Sequence, residues 1–87
     1  MFYRRSNEVK AKKIGKKTAL YVSKQRGIHV LNDTAFFIWE VLEAPFAYDE
    51  LLHMLSEVFE GDTTKMKEDL QEILDLFLRY NLIYTET

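Results

Sequence analysis

The residues best suited to chemistry are few. The 87-residue chain has two histidines, His29 and His53, three serines, Ser6, Ser23 and Ser56, and no cysteine. Without cysteine there is no disulfide, no thiolate metal site and no thiol nucleophile. Glu50-x-x-His53 puts a carboxylate and an imidazole one helical turn apart, a spacing used in di-iron bundles. Such a site needs a second copy and further carboxylates, and this chain has no second copy; a solvated helix face is the competing reading. His29 alternates with Ile28 and Val30, which would point to the other face of a strand, so it reads as a surface or groove residue rather than a base. The serines have no partner motif, and there is no glycine-rich phosphate loop. A catalytic cleft needs convergent polar groups. No catalytic residue, metal or cofactor is therefore expected.

The elements that would position these groups change character near residue 31. Before it, β-branched and aromatic residues come in short runs broken by Lys and Gly. Val9-Lys10-Ala11-Lys12 alternates, with Ile14 further on. Thr18–Ser23 and Ile28–Leu31 are strand candidates. Gly15 marks one turn, and Gly27 can adopt positive φ and close a hairpin. After residue 31 the apolar period becomes 3.6. Asn32 and Asp33 are N-cap types ahead of Ala35, Ile38, Trp39 and Leu42, and this helix stops before Pro45. A second helix spans about Tyr48 to Phe59, with Leu51, Leu55 and Val58 inward. A third spans about Thr63 to Tyr80, with Met66, Leu70, Ile73 and Phe77 as its stripe and Leu74 beside it. Asn81 is a left-handed cap type, and Leu82-Ile83-Tyr84 packs back as an extended tail. The expected fold is α+β over a single domain, residues 1–87. It is a three-stranded antiparallel sheet followed by three helices (βββααα), winged helix-turn-helix-like.

The net charge of −2 conceals a split. Met1–Val30 carries nine bases against one acid, and Leu31–Thr87 carries three bases against thirteen acids. A basic end can signal nucleic acid. Here, however, the bases fall on strands. The helix that would enter a groove carries Lys65, Lys67 and Arg79 against Glu68, Asp69, Glu72 and Asp75. Carboxylates facing phosphates oppose the counterion release that drives such binding. A winged-helix nucleic-acid binder is the alternative, not the favoured reading. No apolar run is long enough to span a membrane. Residues 1–8 lack the apolar core of a signal peptide, and a cytoplasmic location is expected.

A three-stranded sheet has two open edges, and an open edge is a template for an added strand. Ile28–Leu31 is short, apolar and free of proline. In the third helix Leu76 and Tyr80 lie four apart, off the main stripe, with Asp69 and Glu72 in line above them. They are either peripheral core or one wall of a groove between strand and helix.

Leu31-Asn32-Asp33-Thr34-Ala35-Phe36-Phe37-Ile38-Trp39 resembles the Leu-Asn-x-Thr-Ala-x-x-Ile-Trp signature of the PqqD-like family, the recognition elements of ribosomally synthesised, post-translationally modified peptides (RiPP). Ala19-Leu20-Tyr21, Gly27, Asp49-Glu50-Leu51, Asp69-Leu70, Ile73-Leu74 and Leu82-Ile83 also match, so the resemblance runs from about Asn7 to Ile83. Ala47 and Asn81 depart from the family's usual Ser or Thr cap and Gly. The resemblance implies a βββααα fold without DNA binding. It implies a stand-alone chaperone that binds the leader of a precursor peptide by strand addition and presents it to a modifying enzyme, such as a radical SAM enzyme or a lasso-peptide protease and cyclase. Carried onto this chain, it implies backbone contacts from Ile28, His29, Val30 and Leu31. Ile73, Leu76 and Tyr80 would receive apolar leader side chains, with Asp69 alongside, and Lys24 and Arg26 would meet acidic leader residues.

Overall fold

The computed structural model describes residues 1–22 and 27–87. Among these residues, five strands and three helices follow in the order β1 (Phe2–Arg5), β2 (Val9–Ile14), β3 (Lys17–Val22), β4 (His29–Leu31), α1 (Asp33–Val41), α2 (Tyr48–Val58), α3 (Thr63–Arg79) and β5 (Ile83–Glu86). The architecture is α+β, an antiparallel sheet in the order β2-β3-β4 followed by three helices, with a second two-stranded sheet, β1-β5.

A tight turn joins the first two strands of the three-stranded sheet. Gly15, at φ +62°, closes the β2–β3 hairpin, where an L side chain would be strained. Thr18, Ala19 and Leu20 of β3 pair with Leu31, Val30 and His29 of β4. Alternation then sends Leu20 and Leu31 into the core, while Val30 stays exposed on the outer face.

Each helix starts where its cap chemistry dictates. The Asn32 side chain accepts from the Ala35 N–H at 2.8 Å, and Asp62 accepts from the Thr64 N–H at 2.9 Å. Ala47 has no side-chain acceptor, but the Glu50 carboxylate accepts from the Ala47 N–H at 2.8 Å, supplying half of a capping box. Asn81, at φ 58°, ends α3 in the left-handed conformation, and the Leu82 N–H donates to the Phe77 carbonyl at 2.8 Å.

Leu20, Ile38, Leu42, Leu51, Leu55, Leu70, Leu74, Phe77 and Leu82 are fully buried in one core. Trp39 meets Phe77 edge-to-face, ring centroids 6.2 Å apart. Two stripe positions differ from the sequence reading. Leu74 lies in the core and Ile73 is half-buried at its margin, because α3 is turned to bury Leu70, Leu74 and Phe77 together. Val58, the last residue of α2, is exposed, not inward.

The main addition to the expected topology is β1. Phe2–Arg5 pairs with β5 in the register Phe2↔Glu86 to Arg5↔Ile83, which turns the expected tail into a strand. Its other edge is also used. The Tyr3 N–H donates to the Phe46 carbonyl at 2.8 Å, and the Arg5 N–H to the Leu42 carbonyl at 3.0 Å. Burial, then the nearby Asp75 carboxylate, pushes the Tyr3 phenol above its usual pKa. The Arg5 guanidinium lies over the Trp39 ring, 5.2 Å from its centroid. Together these contacts tie β1 to β5, to the end of α1 and to the segment before α2.

Candidate functional site

The groove is formed by two elements of unlike origin. One wall is β4, which pairs only with β3 and has its other edge open among the described residues. The opposite wall is the exposed flank of α3. Between them lies a cleft of about 430 Å³, lined by residues 28–32 and Ala35 on one side and by Glu72, Ile73, Leu76 and Phe77 on the other. Tyr80, one turn beyond Leu76, stacks on His29 with ring centroids 4.4 Å apart and planes tilted by 42°. His29 and Tyr80 thus bridge strand and helix at one end.

The local causes are simple. Leu31 is driven inward at 5% exposure and anchors β4 to the core, and Asn32 then opens α1, which gives the strand a fixed end. On α3, burying Leu70, Leu74 and Phe77 leaves Leu76 and Tyr80 on the neighbouring flank, 40% and 39% exposed. With Ile28 at 60% and Val30 at 57%, the open edge is bordered by apolar surface on both faces of the sheet. Exposed apolar groups gathered around unpaired backbone suit a peptide in extended form.

The ten residues expected from sequence divide as follows. Ile28, His29, Val30, Leu31, Ile73 and Leu76 come together in the cleft, and Tyr80 joins them through His29. Ile28 lies just before β4, not within it. Lys24 and Arg26 lie outside the described residues. Asp69 is separated from the cleft. Its carboxylate accepts from the Lys65 ammonium at 3.1 Å, and it borders a different cavity with Thr34, Leu55, Phe59 and Met66. That hydrogen bond holds the Lys65 pKa above its usual value. The reason is length: at this level of α3, β4 has already given way to α1. Glu72, Phe77, Asn32 and Ala35 line the cleft and were not among the ten. For Glu72 the signal was the i, i+4 row through Leu76 and Tyr80.

The Glu50–His53 pairing does not form. Glu50 caps α2, while His53 Nε2 lies 2.7 Å from a Glu57 carboxylate oxygen. Among the described residues, no group of three or more His, Cys, Asp or Glu is placed to hold a metal. A second cleft of about 500 Å³ lies by Lys12, Ile14, Ala19, Tyr21 and Ile28. Its described lining comes from β2, β3 and the residues just before β4, with none from a helix, so it lacks the two walls that define the groove.

Residues 18–83 match the sequence model of the coenzyme PQQ synthesis protein D (PqqD) family. The chain belongs to the PqqD family. Two solved structures share its fold. TbiB1 in complex with the TbiA(β) leader peptide superposes with a TM-score of 0.79 at 18% identity, covering 97% of this chain and 98% of that one. Lasso peptide synthetase B1 complexed with the leader peptide gives a TM-score of 0.78 at 17% identity, covering 95% and 98%. No curated protein matches the sequence. No helix among the described residues is long and apolar enough to cross a membrane.

Proposed function

We propose that this chain binds the leader segment of a ribosomally synthesised precursor peptide and presents it to a modifying enzyme. The observation that carries the reading is the open edge of β4 facing the exposed flank of α3 across a cleft of about 430 Å³. The leader adds as a strand beside β4, pairing with the backbone of residues 28–31, and its alternate side chains pack on Ile73, Leu76 and Tyr80. Membership of the PqqD family supports this, as do the two structures of like fold solved with leader peptides. Lys24 and Arg26 remain the basic residues proposed to meet acidic leader residues. Asp69 is not proposed as a contact, because it pairs with Lys65 beside another cavity. The role asks for no catalytic group. The enzyme served is of the radical SAM or the lasso protease and cyclase kind, and the likeness to lasso peptide synthetase B1 favours the latter.

The test is fluorescence anisotropy with labelled leader peptides from short precursor genes neighbouring this one. Leu76→Asp puts a charge in the apolar wall at a 40%-exposed position, where the fold should tolerate it. Leader affinity is expected to fall more than tenfold while the circular dichroism spectrum is unchanged. A folded wild-type protein that ignores these leaders but binds duplex DNA with a steep salt dependence would overturn the reading.

A further inference from the structure

The flank of α3 that faces the groove is not uniformly apolar. Its exposed i, i+4 row runs Glu72, Leu76, Tyr80. Four residues of helix rise about 6 Å, and two residues of extended strand advance about 6.8 Å. A strand lying along this row therefore presents every second side chain to successive members of it. The walls also match in length. From Tyr80 to Glu72 the helix spans about 12 Å. From His29 to Asn32 the opposite wall spans about 10 Å. The His29–Tyr80 stack fixes one end of this alignment, and Glu72 and Asn32 both line the cleft whose opposite end they mark.

Among the described cleft residues, Glu72 is the one acidic or basic side chain apart from the imidazole of His29. Among the described residues no cation forms an ion pair with it. Its helical neighbours at three and four positions are Glu68, Asp69, Asp75 and Leu76. Of the cations on α3, Lys67 lies five positions away and Lys65 and Arg79 seven; Lys65 feels the Glu72 charge only at a distance, its ammonium being held by Asp69 at 3.1 Å, and Asp75 accepts a hydrogen bond from Gln71 at 2.8 Å. The charge is exposed beside backbone that a peptide would cover. An apolar residue placed against it would strip water from an unpaired carboxylate, whereas a Lys or Arg would pair with it.

Building on the leader-binding reading, we infer that Glu72 selects a basic residue in the bound peptide. That residue lies two positions from the side chain on Leu76 and four from the side chain on Tyr80. The recognised segment then carries apolar, apolar and basic residues at alternate positions, in one chain direction or the other.

The test uses a displayed library of random ten-residue peptides, selected separately on the wild-type protein, Glu72→Gln, Glu72→Lys and Leu76→Asp. Wild type is expected to enrich two apolar residues two apart, with Lys or Arg two further on. Glu72→Lys should replace that Lys or Arg with Asp or Glu and leave the apolar pair in place. A synthetic peptide of the wild-type consensus should bind Glu72→Gln about two- to fivefold more weakly, the range for a partly exposed ion pair. If the apolar pair is enriched with no charge preference, or the preference survives Glu72→Lys, the role of Glu72 is refuted and the groove stands. If the apolar pair is absent and Leu76→Asp selects the same peptides as wild type, the groove reading itself fails.

Discussion

Among the described residues the sheet has two open edges, and they are built to opposite ends. The β2 edge, Val9–Ile14, contains Lys10, Lys12 and Lys13, all exposed, and no helix stands across from it in the groove. The β4 edge, His29–Leu31, has no acidic or lysine side chain, is three residues long, and faces Leu76 and Ile73 across a cleft. Lysine along an edge deters a second strand, because an approaching β-edge must desolvate or displace the ammonium groups. The same backbone beside apolar surface invites one. Both edges expose unpaired peptide groups, so the difference in partner selection comes from side chains and from the α3 wall.

The largest test of this contrast removes the wall's foundation. Phe77 is fully buried beneath the groove and stacks edge-to-face on Trp39. Phe77→Ala should cost about 3–5 kcal/mol, read as a lower urea midpoint, and should abolish peptide binding with the loss of the folded domain. A smaller effect follows from exchanging the character of the edges. Substituting Val for Lys10, Lys12 and Lys13 together should produce concentration-dependent self-association, seen by sedimentation velocity, because β2 then offers bare backbone flanked by apolar groups. Substituting Arg at the same positions should leave the protein monomeric under the same conditions. Indifference to both changes would show that lysine is not what keeps β2 unpaired. The smallest effect is expected at the junction between β4 and α1. Asn32→Ala removes the acceptor for the Ala35 N–H and should cost about 1 kcal/mol, with leader affinity in the folded fraction little changed.

Much of the groove is legible in the amino-acid sequence. Alternation around His29 marks it as facing away from Ile28 and Val30, and the spacing of Leu76 and Tyr80 sets them off the main stripe of α3. The cap residues Asn32, Asp62 and Asn81 each act at the helix end where their type belongs. The errors fall where helix rotation or element length decides. Ile73 and Leu74 are neighbours on one helix, and periodicity alone cannot say which lies deeper when both are apolar. Asp69 and Glu72 both lie close to the row of Leu76, and only the end of β4 at Leu31 tells them apart.

What the sequence determined by itself is therefore the set of local structures. The change from strand to helix period at residue 31, the hairpin glycine, the caps and the separation of basic strands from acidic helices all rest on interactions between residues a few positions apart. What only the tertiary structure decided rests on distant pairing. Phe2–Arg5 has no sequence neighbour that would make it a strand; it becomes one because β5, at the other end of the chain, and the Leu42 and Phe46 carbonyls accept it. The groove is of the same kind. Its walls are readable one at a time, but their approach to within a ring stack of each other, and the choice of Glu72 over Asp69 at its end, follow from how α3 packs across the core onto β4. Local periodicity records which face of an element is apolar, and packing alone sets which face meets which.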